Sequence, residues 1–304
     1  MPRALALDAA FVYVATRGAV LRVATTGSPP ALIARVDGTP SAIAVDDRVV
    51  WYAVDDRLWT APKAGGPAVV RAQVPSAIRA IALADGAVYL ATEAAALAIP
   101  IVGGSPRVVA AGHDVADLAV ADAMLYWLDR DHGDVLRAPV GGGRPQRIAT
   151  GSRRPRRLVI EGADVLWTTD DGDVLSAPRT GGATRTLATG LQKPWALAAD
   201  PRFVYWAETN RFRISCLPRR GGAAIVVAAH ENWPLALAAD GDALYWLDQH
   251  LLRDGADQPD EHSGRLRTVP RRCVSRQAQR SAFQPTQRFS VLDRRARTAT
   301  HAGK

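Results

Sequence analysis

Apolar and polar positions recur along this chain in one order. A short apolar run followed by an acid position reads Leu5-Ala6-Leu7-Asp8, Ile43-Ala44-Val45-Asp46, Ile81-Ala82-Leu83-Ala84, Leu118-Ala119-Val120-Ala121, Leu158-Val159-Ile160-Glu161, Leu197-Ala198-Ala199-Asp200 and Leu237-Ala238-Ala239-Asp240. The acid positions lie 38, 38, 37, 40, 39 and 40 residues apart. Five residues further on stands an aromatic in six copies: Tyr13, Trp51, Tyr89, Tyr126, Tyr205 and Tyr245. The fifth copy has Leu166 there, followed by Trp167. A proline stands six residues before the acid position at Pro2, Pro40, Pro155, Pro194 and Pro234, and copies two to six close with Pro-x-x-Gly-Gly from Pro62, Pro100, Pro139, Pro178 and Pro218. So many positions aligned at one period mark an internal repeat.

A period of about 39 residues holds four strands of five or six residues with tight turns. The first strand of each copy, A, is a small, apolar run of the kind that suits a strand buried on both faces. Strand B carries the Val-Tyr-Trp type of sequence that fits a pleated surface. Strand C ends at the proline, which has no N–H to give to a ladder, and the Gly-Gly pair supplies the turn. Strand D is the short run typified by Ile225-Val226-Val227. Four-stranded units at this period predict an all-β fold: a seven-bladed β-propeller of four-stranded antiparallel blades over residues 1–275, followed by a disordered basic tail over 276–304. An open β-solenoid is the alternative. Trp127, Trp167, Trp206 and Trp246 are expected between adjacent blades.

The B strands resemble the YWTD repeats of low-density-lipoprotein-receptor-type propellers. Tyr126-Trp127-Leu128-Asp129, Tyr245-Trp246-Leu247-Asp248 and Tyr205-Trp206-Ala207-Glu208 carry the resemblance. Leu166-Trp167-Thr168-Thr169 keeps the threonine and loses the acid, and copies one to three keep only an aromatic. The pattern also resembles bacterial propellers with a P-x-x-IAVD…VYW…P-x-x-GG repeat. In such families the motif mainly packs blades, so the resemblance implies fold rather than function. It also implies an extracytoplasmic location, although strand A begins too close to Met1 to leave room for a signal peptide.

Charge is unevenly placed. The chain has 35 Arg and 3 Lys for a formal net charge of +8, yet residues 1–270 hold 29 basic and 29 acidic side chains. The excess lies in 271–304, where nine basic residues accompany only Asp293. A tail of that kind is usually solvated, so nucleic acid is not the expected partner. No apolar stretch is long enough for a membrane helix. Cys216 and Cys273 are expected as two free thiols, with a bridge between neighbouring blades as the alternative. The pattern also breaks near Pro270, where Cys273-Val274 replaces Gly-Gly and the usual apolar D strand is missing. Closure by a strand upstream of Met1 is the leading expectation. The others are a fold-back of Phe289-Ser290-Val291-Leu292 along 266–269 and an open edge.

Candidate chemistry sits in the loops. Asp129, Asp131 and His132 share the fourth B–C hairpin and could form a metal or acid–base site, or an ordinary exposed hairpin. Glu208 and Arg211 lie in the sixth. Trp195 and Trp233 stand beside the strand A prolines, on the face that the B–C hairpins should share, where they could stack a sugar or a peptide side chain or pack on the next blade. The seventh copy carries an insertion over 249–263; Asp248 and His250 at its start join the candidates, since function on regular scaffolds tends to sit in irregular loops. No Ser/His/Asp set, phosphate-cradling glycine loop or zinc spacing appears, and no cofactor is expected. The Ala, Leu, Ile and Val of the A runs speak against a catalytic set lining the channel. The expected function is therefore a non-catalytic binding or scaffold propeller, a monomer presenting a loop-built face to a protein, peptide or glycan. A propeller hydrolase or lyase, lactonase-like or streptogramin-lyase-like, with a metal or His/acid site at the channel mouth is the alternative.

Overall fold

The structure, a computed structural model, describes residues 4–111, 114–231, 233–240, 243–249, 264–270 and 287–289. It is an all-β propeller of four-stranded antiparallel blades. Six blades, not seven, are built as the repeat predicts, from four consecutive strands paired A-B-C-D. The first runs through Ala4–Leu7, Phe11–Thr16, Ala19–Ala24 and Ala31–Arg35. The sixth runs through Pro194–Ala199, Phe203–Glu208, Arg213–Pro218 and Ile225–Ala229. All six share a register shift where C meets D, for example between Val20 and Leu21 and between Ile214 and Ser215. Such bulges sharpen the twist at a sheet's outer edge.

The expectation of seven like blades is thus corrected. The remaining sheet pairs Ala236–Ala239, Ala243–Gln249 and Gly264–Pro270 with Gln287–Phe289, a strand drawn from the basic tail. Gly264 lies opposite Phe289 and Leu266 opposite Gln287. In this chain the fourth strand of the last sheet comes from the tail. The tail does fold back, but through 287–289 on 264–266 rather than 289–292 on 266–269. A backbone ladder asks only for N–H and C=O groups, so a polar segment serves where an apolar one was sought. Cys216 corrects a second expectation: it is disulfide-bonded rather than a free thiol. The chain's other cysteine, Cys273, lies outside the described residues.

The core is a set of interfaces between blades. Trp127 packs with Tyr89 and Ala91 of the third blade, and Trp167 with Tyr126 and Leu128 of the fourth. Trp206 packs with Leu166 and Val174 of the fifth, and Trp246 with Tyr205 and Ala207 of the sixth. Tyr245 and Leu247 pack against Val12 and Val14, so the last sheet closes on the first blade. All four tryptophans are buried, as expected from the repeat.

The acid position is a turn device. Asp8 Oδ1 accepts the N–H groups of Ala10 and Phe11 at 2.9 and 2.8 Å, and its Oδ2 accepts the Tyr13 hydroxyl at 2.7 Å. Asp200 does the same for Arg202, Phe203 and Tyr205. Asp46 caps Arg48 and Val49 and takes the Trp51 indole N–H at 2.7 Å. In copies one, two and six one carboxylate therefore ties the A–B turn to the aromatic five residues on.

Candidate functional site

Strand A runs from the face carrying the B–C hairpins and D–A connections, and these loops are fastened to one another. Ser152 N–H donates to Gly133 O at 3.0 Å, Leu191 N–H to Gly172 O at 2.9 Å, and Glu231 N–H to Phe212 O at 2.8 Å. A cavity of about 440 Å³ opens on this face. Its wall includes Ser41, Arg79, Ala116, Arg156, Trp195 and Leu235, which occupy one position of the repeat, five residues before the acid position. Arg130, Thr209 and Asn210 reach in from B–C hairpins, and Lys193 and Trp233 from D–A connections. Beneath it lies a narrower cavity of about 190 Å³, lined one position further along strand A by Ala42, Ala80, Asp117, Arg157, Ala196 and Ala236.

The upper wall is cationic and aromatic: four arginines, a lysine and two tryptophans, with no carboxylate, histidine or cysteine among its lining residues. The acids sit behind. Arg79 pairs with Asp114 and Glu93, and Arg157 lies 3.8 Å from the buried Asp117. Arg130 and Arg156 share one carboxylate, that of Asp170, at 3.1 and 2.6 Å. Lys193, exposed, has no acidic partner among the described residues. Burial pushes the Arg79 guanidinium pKa down; Glu93 and Asp131 pull it back up, while the positive charge of Arg130 lowers it further. Burial also raises the Asp117 pKa, against the opposing effects of Arg157 and two backbone N–H groups. The Arg156 guanidinium lies 4.1 Å from the Trp195 ring centre, a cation–π stack. Trp233 is 46% exposed with φ +50°, and Lys193 at the same repeat position has φ +52°. That left-handed conformation is uncommon outside glycine, and it recurs here just before the strand A proline.

The sequence candidates divide. Trp195 and Trp233 line the mouth. Asp129 is buried under its hairpin, where Oδ1 accepts the Asp131 and His132 N–H groups and Oδ2 meets His132 Nδ1 at 2.8 Å. Asp131 and His132 are exposed. Glu208 is fully buried, accepting the Gln192 N–H and pairing with Arg213 at 2.5 Å and Arg211 at 3.4 Å. Asp248 lies opposite Arg265 on its strand; His250 and most of the 249–263 insertion lie outside the described residues. No group of three or more potential metal ligands occurs among the described residues. The sequence reading missed Arg79, Arg130, Arg156, Arg157 and Lys193. It aligned the copies on the three apolar residues before the acid, whereas the third and fifth A strands run from Ile78 and Pro155. The signal was present in the position five residues before the acid, which varies between copies while the apolar run after it recurs.

This geometry defines a β-propeller with a lined channel mouth. No protein-family model matches the chain, and no curated protein matches it. Solved structures do. A nidogen/laminin complex, whose propeller is of YWTD type, matches at 20% identity and TM-score 0.55 over 66% of this chain and 85% of that one. Virginiamycin B lyase from Staphylococcus aureus matches at 13% and 0.69 over 81% and 90%. The WD40 propeller domain of Doa1 matches at 13% and 0.66 over 81% and 88%. At these identities the similarity establishes the fold. No helix of the described residues is long and apolar enough to cross a membrane.

Proposed function

We propose that this protein is a non-catalytic binding propeller of the bacterial YWTD-like variety, and that its ligand sits in the channel mouth. The observation that carries this reading is the wall itself. Blades two to six and the last sheet contribute one residue each from a single repeat position, and those residues differ in chemistry while the apolar runs that follow them do not. Concave sites with aromatic walls and a few placed polar groups are the usual form of a ligand pocket. Acid–base or nucleophilic catalysis asks for a titratable group that can take or give a proton near neutral pH. The guanidinium, amide and indole groups that dominate this wall bind and orient a ligand rather than exchange protons with it.

The test is a tryptophan-fluorescence screen against peptides and oligosaccharides, with the ligand recovered afterwards for mass spectrometry. Saturable quenching that is lost in Trp233→Ala, with the ligand recovered unchanged, supports the reading. Conversion of the ligand over many turnovers would replace it with the lyase or hydrolase alternative, and binding undiminished in Trp233→Ala would move the site elsewhere.

A further inference from the structure

We infer that the mouth takes a carboxylated saccharide, a uronate-containing oligosaccharide, an assignment that rests on the mouth being the binding site. Three observations converge. The cations outnumber their acids on the wall: Arg130 and Arg156 divide Asp170 between them, and Lys193 has none. Trp233 offers an indole that is 46% exposed beside them. The remaining polar lining is uncharged: the Ser41 and Thr209 hydroxyls donate to Ile78 O and Lys193 O and keep lone pairs that can accept, and the Asn210 amide can donate and accept. A uronate asks for that combination. Its C–H face is flat and apolar and stacks on an indole, its hydroxyls pair with amides and hydroxyls, and its carboxylate suits the planar fork of arginine.

Other anions fit less well. Most guanidinium groups on the wall already hold a carboxylate behind them, so the residual field suits single negative charges spread along a chain rather than a concentrated polyphosphate. A peptide would look for an unpaired strand edge to extend. Here the B–C hairpins and D–A connections spend backbone groups on each other, as in Ile78 N–H to Asp55 O at 2.8 Å. The inner A strands meet their counterparts from neighbouring blades around the ring.

Calorimetric titration with tetragalacturonate, the same oligomer as its methyl ester, an acidic peptide and ATP tests this. The tetragalacturonate should bind, and the ester should bind at least about tenfold more weakly, because a hydrogen bond to a charged group is worth roughly that factor or more. Raising the salt concentration should weaken only the acid form. Lys193→Ala and Trp233→Ala, both at exposed side chains, should each lower affinity about tenfold or more with unchanged melting temperature. Equal binding of acid and ester, or no binding of the uronate, overturns the assignment. If the peptide or ATP binds instead and is lost in Trp233→Ala, the uronate class falls while the mouth stands as the site. If no ligand on this panel is affected by Trp233→Ala, both fall.

Discussion

At the scale of single residues, the repeat is written by hydrogen bonds as much as by packing. Burial would raise the Asp8 pKa, but hydrogen bonds from Lys63, Tyr13, Ala10 and Phe11 outweigh it and hold the value at about 2. A depressed folded-state pKa contributes stability above the unfolded value, lost as pH falls through the folded one. Asp8→Asn should therefore melt below the wild type at pH 7, and the gap should close between roughly pH 4 and pH 2; a gap independent of pH would contradict the ionised cap. The tryptophans offer a second comparison. Trp167 Nε1 donates to Ser152 and Trp246 Nε1 to Glu231, each fifteen residues earlier. The equivalent of these acceptors for Trp206 is Leu191, and its Nε1 has no partner among the described residues. Trp206→Ala should cost ~3–5 kcal/mol, as for a large buried aromatic. Trp206→Phe should cost about 1 kcal/mol less than Trp167→Phe, because only the latter breaks a hydrogen bond. Urea titrations of the two phenylalanine variants check this, and equal losses would refute it.

At the scale of elements, the strands and turns were legible because each has a local cause. Proline ends strand C, and the glycine three residues on returns its N–H to the proline carbonyl, as Gly65 does to Pro62 at 2.9 Å. The hairpins that carry the mouth were legible as turns but not as a fastened rim, since their fastening depends on contacts between loops distant in sequence. Gly172 shows the constraint: its φ is +97°, and a Cβ there would sit 2.2 Å from Leu191 O. Gly18, at φ +85°, has open space around it. Gly172→Ala should destabilise by more than the ~1–3 kcal/mol of backbone strain alone, and Gly18→Ala by no more than that strain, measured by thermal melts. The closing strand was not legible because Gln287–Phe289 has no apolar pattern, and only its backbone recommends it. Arg288→Pro removes an N–H from that strand and should lower the melting temperature by a few degrees. An unchanged melt would place the strand outside the ring.

At the scale of the whole molecule, closure turns a structural repeat into a site. Successive A strands lie side by side around the ring, so one repeat position becomes a ring of side chains around one opening. The sequence displays those residues far apart, as Ser41, Arg79, Arg156 and Trp195, and only the ring places them on one wall. That is why the fold could be read from periodicity while the cationic lining could not: periodicity reports what recurs, and the mouth is made of what differs. The measurement that bears most directly on function is a crystal structure of the protein grown with tetragalacturonate. A sugar ring against Trp233, with its carboxylate turned to Lys193 or Arg130, is the expected result. An oligosaccharide bound on the outer face of the blades, with the mouth holding only solvent, would contradict it.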